Sequence, residues 1–236
     1  MAVAESKPPL RVDALGVWRF RNFGGAHVVA GVVDRHGDPE RVSRELMRAR
    51  MFVSAEQVHG SSLVFLDRWV DGQVWMPGCD ALLTQWSGVA LFIRSADCLP
   101  IFVSDPRRGA VGLAHAGWRG LAARLPERLV AAFGRFVHSD AADLRVAFGP
   151  SIRACCYDVS PDFGRYFEPF IQRHEGGRTT CDLVAAARDQ LLRCGVQPQR
   201  VVDSRSCTAC ESEYWYSVRR EGESTGRLHS FILLNA

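Results

Sequence analysis

Two histidines and one cysteine, His59, Cys98 and His115, have side chains that together could bind a divalent metal ion. Each lies beside a short apolar run, and runs of this length, bounded by turn residues, predict buried strands. Cys98 lies 39 residues after His59 and His115 lies 17 residues after Cys98, so only the tertiary fold could bring them together. From spacing alone, a buried thiol and two unconnected loop histidines remain the alternative.

The chemistry of such a site would be that of catalytic zinc. Two imidazoles and a thiolate leave the fourth position of the ion to water, whose pKa zinc lowers toward about 7. Cys98 would then be an ionised ligand and not a free nucleophile. Asp97, its neighbour, could orient one imidazole by a hydrogen bond, or it could be only a turn cap.

An anionic substrate group would have to be bound by arginine or by backbone amides. Lys7 is the single lysine, which excludes a phosphate-loop lysine and argues against a Schiff base. Arg35 and Arg119 are the cationic candidates. Gly149 and Ser151 follow a predicted strand and could receive a phosphate group, although a plain turn is the alternative.

Several sequence blocks resemble the YfiH-like laccase-domain family, which has been described as zinc-dependent purine nucleoside phosphorylases, polyphenol oxidases and peptidoglycan editing factors. The blocks cover nearly the whole chain. They are Gln57-Val58-His59-Gly60, Asp80-Ala81-Leu82-Leu83-Thr84, Ala96-Asp97-Cys98-Leu99-Pro100, His115-Ala116-Gly117-Trp118-Arg119-Gly120, Gly149-Pro150-Ser151-Ile152, Tyr216-Ser217-Val218-Arg219-Arg220 and Thr225-Gly226-Arg227.

The resemblance implies a fold, a metal and an activity. The fold is α/β (α+β), with mixed β-sheets packed as a sandwich and helices outside, in a four-layer arrangement likened to cysteine hydrolases of the CNF type. The metal is Zn²⁺, with Cu²⁺ as the alternative, bound by His59, Cys98 and His115. The activity is phosphorolysis of adenosine, inosine and S-methyl-5′-thioadenosine to the free base and (methylthio)ribose 1-phosphate, with adenosine deamination. Nothing in the residues themselves specifies a purine.

The resemblance also extends the set of expected site residues. Arg35 matches an arginine that faces the site in a Ser-Thr-Arg-x-Gly-Gly element, although Val33 and Asp34 replace the hydroxyl pair here. We expect catalytic roles for the three ligands and for Arg35 and Asp97. We expect substrate binding by Arg119, Gly149 and Ser151.

Three other functions stay open at this point. Cys98 could be the nucleophile and His115 the base of a metal-free hydrolase that edits peptidoglycan precursors. A copper-dependent polyphenol oxidase is the second, but none of the seven histidines forms the His-x-His pairs of multicopper clusters. A structural or interaction module is the third, and an open three-ligand set suits it poorly.

Composition limits the class of protein. The 236 residues are 47% hydrophobic and 23% charged, as in ordinary globular proteins, and the net charge of +3 is too small to indicate nucleic acid. No apolar run approaches the roughly 20 residues of a membrane span. We expect a flexible segment 1–12 and a single domain 13–236. The expected protein is cytoplasmic and a monomer or weak homodimer, and the family resemblance implies nucleoside and phosphate as its partners.

The remaining cysteines and the chain end give two further predictions. Period-two alternation would send the adjacent Cys155 and Cys156 to opposite faces, which argues against a shared metal. Cys207 and Cys210 form one Cys-x-x-Cys without a second pair nearby, so neither a structural zinc site nor a redox pair is expected there. Segments 213–218 and 228–234 are expected to form a closing hairpin.

Overall fold

Strands supply most of the structure. The computed structural model describes residues 10–20, 23–25, 27–46 and 49–235. In chain order the strands are β1 (Leu10–Val12), β2 (Val17–Phe20), β3 (Val28–Val33), β4 (Met51–Ala55), β5 (Leu63–Phe65), β6 (Gly72–Met76), β7 (Ala81–Thr84), β8 (Val89–Ser95), β9 (Leu99–Asp105), β10 (Ala110–Ala116), β11 (Arg145–Phe148), β12 (Ile171–Arg173), β13 (Thr179–Cys181), β14 (Val201–Asp203) and β15 (Leu228–Leu234).

Helices are few and short. The α-helices are α1 (Pro39–Leu46), α2 (Trp118–Ala122), α3 (Leu125–Ala132), α4 (Gly164–Phe167), α5 (Leu183–Arg193) and α6 (Val218–Glu221). A π-helical turn covers Phe133–Val137, and 3₁₀ turns cover Ala141–Asp143, Pro161–Phe163, Glu168–Phe170, Glu175–Gly177 and Pro198–Arg200. No helix in the described ranges has both the length and the apolar character that a membrane crossing requires.

The strands form two large mixed sheets and one small one. The first has the order β1-β2-β3-β15-β8-β4-β6, in which β4 is parallel to both β6 and β8. The second has the order β14-β11-β9-β10-β7-β5, with parallel pairs at its two edges. Strands β12 and β13 form an antiparallel pair of their own. The expected mixed α/β fold is confirmed.

The core consists of three apolar layers between these elements. Side chains of the two sheets, such as Val53 and Ile232 from the first and Phe102 from the second, pack together in one cluster. A second cluster covers the other face of the second sheet with α3 and α5. Val42 of α1 packs on the outer face of the first sheet. The sheets are therefore packed face to face with helices outside.

Local sequence signals start two of the helices. The Asp182 carboxylate accepts the Ala185 N–H at 2.9 Å and caps the N-terminus of α5. The helix after His115 breaks and restarts at α3, where Pro126 lies in the first turn and needs no intrahelical N–H bond.

The predictions for the two chain ends need correction. Leu10–Val12, part of the segment expected to be flexible, pairs with β2, while residues 1–9 lie outside the described residues. The prediction of a closing hairpin is wrong, because β15 lies between β3 and β8, inside the first sheet. The Ser217 hydroxyl accepts the Arg220 N–H at 3.3 Å and starts α6 where a strand was expected.

Candidate functional site

The ends of strands from both sheets bring His59, Cys98 and His115 together. His115 is the last but one residue of β10 and lies opposite Pro100 of β9, so that Cys98, just before β9, reaches the same end. His59 comes from the loop after β4. The three ligand atoms lie within 4.8 Å of one another. The centroids of the two imidazole rings are 4.9 Å apart, and the ring planes make an angle of 82°.

A buried carboxylate that was not among the predicted site residues contacts both histidines. Asp80, fully buried before β7, accepts the His59 N–H at 3.0 Å and the Gly60 N–H at 2.7 Å. Its Oδ1 also lies 2.9 Å from His115 Nδ1. A carboxylate only accepts, so Nδ1 carries a proton, and Nε2 is the nitrogen that would bind a metal ion once it has lost any proton of its own. Asp80, not Asp97, therefore orients His115.

Hydrogen bonds set the ionisation of this cluster. Burial opposes ionisation of Cys98, but bonds with His115 and His59 outweigh it and lower the pKa of the thiol to about 6. Burial also works against a charged His115, but bonds with Asp80 and Cys98 raise the pKa of that imidazole to about 9. This environment therefore favours the thiolate form of Cys98, the form that binds metals and attacks carbonyl groups.

The donor set and the space around it suit a metal such as zinc. One soft thiolate and two imidazoles are zinc ligands, and three of them leave a position open. Gly117 keeps that space clear, since a Cβ there would lie 3.2 Å from both Cys98 Sγ and His59 Cδ2. His59 and Asp97 have left-handed backbone, with φ of 58° and 86°, a strained conformation that is common at functional sites.

We expect Gly120→Ala to lower the free energy of unfolding by about 1–3 kcal/mol, because a Cβ at this position would lie 2.7 Å from the Gly60 carbonyl oxygen. A backbone oxygen in the His59 loop cannot swing aside as a side chain could. Urea denaturation measures the change. The control is Gly134→Ala, whose Cβ meets nothing closer than 3.8 Å, and equal losses in the two variants would contradict this account.

A cavity of ≈ 1080 Å³ opens over the three ligands. Its lining carries both signs of charge and one phenol: Arg94, Arg119, Arg219, Arg227, Glu56, Asp97, Glu223 and Tyr157. The exposed Arg119 guanidinium stacks on Trp118 at 4.5 Å, and no carboxylate in the described part of the chain pairs with it. Asp97 accepts the Thr208 hydroxyl at 2.6 Å and the Arg219 N–H at 2.7 Å.

Three predicted site residues lie outside this lining. Arg35 forms an ion pair with Glu221 at 3.1 Å, and Gly149 packs so closely that a Cβ would lie 3.0 Å from Pro100. Ser151 is buried, and its hydroxyl has no hydrogen-bond partner among the described residues. Arg219 and Arg227 line the cavity although neither was a predicted site residue, and both lie in blocks that carry the family resemblance.

The prediction against a shared site for the other cysteines is wrong in its geometry. The sulfur atoms of Cys155, Cys156, Cys207 and Cys210 lie within 4.8 Å of one another and could hold a metal ion. Residues 154–156 form a turn, so the alternation of a strand does not apply and both side chains reach one side. Backbone N–H groups of Cys210 and Arg153 overcome the effect of burial and lower the pKa of Cys207.

Known proteins match this chain along most of its length. It is 36% identical over 195 residues to purine nucleoside phosphorylase YlmD of Geobacillus stearothermophilus, covering 77% of this chain and 71% of that protein. It is 32% identical over 165 residues to adenosine deaminase RL5 of an unknown prokaryotic organism, covering 66% and 63% of the two chains. The crystal structure of YlmD superposes with a TM-score of 0.90 at 30% identity, covering 97% of this chain and 100% of that one.

The family described as multi-copper polyphenol oxidoreductase laccase matches residues 33–235. This match includes every residue of the site described above. The chain therefore belongs to this laccase-domain family, in which its homologues include purine nucleoside phosphorylases and an adenosine deaminase.

Proposed function

We propose that this protein is a zinc-dependent purine nucleoside phosphorylase that acts on adenosine, inosine and S-methyl-5′-thioadenosine and also deaminates adenosine. The proposal rests on one observation: His59, Cys98 and His115 lie close together in the wall of an arginine-lined cavity, and Asp80 orients His115. The similarity to a purine nucleoside phosphorylase and to an adenosine deaminase supports the choice of reactions.

The two imidazoles and the thiolate would hold the zinc ion. When bound, zinc supplies a Lewis acid to the cavity. Asp80 fixes the tautomer and the direction of His115, and its bonds to the backbone of His59 and Gly60 fix the loop that carries the second imidazole. The ligands are thus positioned before substrate enters, which removes the cost of ordering them during the reaction.

Phosphorolysis requires phosphate beside the sugar carbon C1′. A phosphate oxygen forms a bond to C1′ while the C1′–N9 bond breaks, and the purine leaves with the electron pair and takes up a proton. Arg119 and Arg219 line the cavity and can bind phosphate oxygens by charge-assisted hydrogen bonds. Deamination is a separate reaction, in which water adds at C6 and ammonia leaves.

One observation favours a second candidate function. The lowered pKa of Cys98, about 6, would also suit the nucleophile of a cysteine hydrolase, with His115 as its proton carrier. Amide cleavage in a peptidoglycan precursor is the corresponding reaction. A copper oxidase receives less support, because His59, Cys98 and His115 offer one mononuclear site.

The first experiment measures release of hypoxanthine from inosine with and without inorganic phosphate. We expect release that depends on phosphate and yields ribose 1-phosphate, and its loss in His115→Ala. Cys194→Ser, which changes a thiol outside the site, is the matched control and should retain activity. Release that proceeds equally without phosphate would contradict phosphorolysis.

A further inference from the structure

A second group of potential metal ligands lies apart from the site described above. It consists of Cys155, Cys156, Cys207 and Cys210, which we call the tetrathiol cluster. The Cys155 sulfur lies 3.6 Å from those of Cys207 and Cys210, and the Cys156 sulfur lies 3.3 Å from that of Cys210. We propose that the tetrathiol cluster binds a structural zinc ion, in addition to any metal held by His59, Cys98 and His115.

The spacing of the sulfur atoms fits a tetrahedral ion. With Zn–S bonds of about 2.3 Å, the edges of a ZnS₄ tetrahedron are about 3.8 Å long. Three of the sulfur–sulfur distances are 3.3–3.6 Å, and all four sulfur atoms lie within 4.8 Å of one another. These distances lie on either side of the tetrahedral edge length. A disulfide would use only two of the four sulfurs and would leave the others crowded beside it. Four thiols with no other ligand type make a closed site, which is the structural arrangement.

Backbone contacts bring the two halves of the cluster together. Residues 154–156 and 208–210 form turns, and Ser151 and Cys207 form a parallel bridge between the segments that carry them. The Thr208 N–H donates to the Ser151 carbonyl at 3.1 Å, and Arg153 Nε donates to the Ser206 carbonyl at 3.1 Å. The ligands are therefore placed by the fold, and the ion would not have to assemble them.

Arginine side chains donate hydrogen bonds to backbone carbonyls of the same turns. Arg178 donates to the Cys155 carbonyl at 2.6 Å, and Arg220 donates to the carbonyls of Thr208 and Ala209 at 2.8 and 2.9 Å. These guanidinium groups also place positive charge beside the turns that carry the cysteines. Positive charge there favours the net negative charge of a divalent ion bound by four thiolates.

The tetrathiol cluster is connected to the wall of the cavity. Thr208, between its two C-terminal cysteines, donates to Asp97 at 2.6 Å, and Arg219 donates to the Cys156 carbonyl at 3.4 Å. A zinc ion here would therefore fix the turns that hold Asp97 and Arg219. Its role is structural, and the inference holds whether or not the proposed phosphorylase activity is correct.

Zinc content per chain tests this inference. Protein expressed with zinc and freed of loosely bound metal should contain two zinc ions, and the double variant Cys155→Ser/Cys210→Ser should contain one. The control Cys194→Ser should keep both. Equal zinc content in the double variant and the unaltered chain would overturn the proposal, as would iron in place of zinc or a Cys156–Cys210 disulfide in freshly purified protein.

Separate outcomes identify failure at either site. If the three-ligand site binds no metal, the unaltered chain will contain one zinc ion, which His115→Ala retains and the double variant loses. If the double variant does not fold, the full chain with His59→Ala and Cys98→Ala provides the second test. Titrated with Co²⁺, it should bind one equivalent with strong thiolate-to-metal absorption that zinc abolishes. Absence of that absorption would overturn the proposal.

Discussion

Replacing Asp80 by alanine will weaken zinc binding about 10–100-fold, because this carboxylate orients His115 and anchors the His59 loop. The same change should lower the free energy of unfolding by roughly 3–5 kcal/mol, since Asp80 and His115 form a buried pair whose side chains are 0% and 3% exposed. The alanine side chain offers no acceptor to the Gly60 N–H, so the hydrogen bond that Asp80 accepts from it is lost without a replacement.

Competition with a chelator measures zinc affinity, and urea denaturation of the metal-free chain measures stability. Asp67→Ala is the matched control, because it removes an exposed carboxylate and should change neither quantity. Asp80→Asn should give an intermediate loss of affinity, since an amide oxygen can still accept from His115. Unchanged zinc affinity in Asp80→Ala would show that the histidines are positioned by something else.

The second large effect is expected at Arg119. Arg119→Ala should raise the KM for phosphate about 10–100-fold. The reason is that the substitution removes a charge-assisted hydrogen bond to phosphate, which contributes about 1.5–3 kcal/mol. Its guanidinium lines the cavity and stacks on Trp118, with no carboxylate partner among the described residues. Zinc content should not change, because Arg119 supplies no ligand.

Arg35→Ala is the control for this prediction. Arg35 pairs with Glu221 and lies outside the cavity lining, so its removal should leave the KM for phosphate unchanged. Initial rates at varied phosphate and fixed saturating inosine separate the two variants. A larger effect at Arg35 than at Arg119 would return Arg35 to the role that the family resemblance implied.

The parts of the site that the sequence indicated are those with strong local signals. His59, Cys98 and His115 stand beside apolar runs that became β5, β8, β9 and β10, and strand ends in adjacent sheets lie close together. The mixed sheets followed from the family resemblance. Their face-to-face packing was likewise expected only from that resemblance.

The parts that were missed depend on contacts distant along the chain. Asp80 contacts a histidine 35 residues away, and an aspartate before an apolar strand resembles an ordinary turn residue until the fold is known. Arg35 was placed by local similarity, but its position depends on Glu221 in α6. The tetrathiol cluster was missed because Cys155 and Cys156 lie in a turn, where strand alternation gives the wrong direction.

The most direct test of the central claim is inosine phosphorolysis before and after metal removal. The chain is treated with a chelator until metal-free, assayed with phosphate, and then supplied with zinc in stages. We expect activity to disappear with the metal and to return on zinc addition, but not in His115→Ala. Full turnover by the metal-free chain would contradict the claim that His59, Cys98 and His115 act by holding a zinc ion, and would favour Cys98 as a nucleophile.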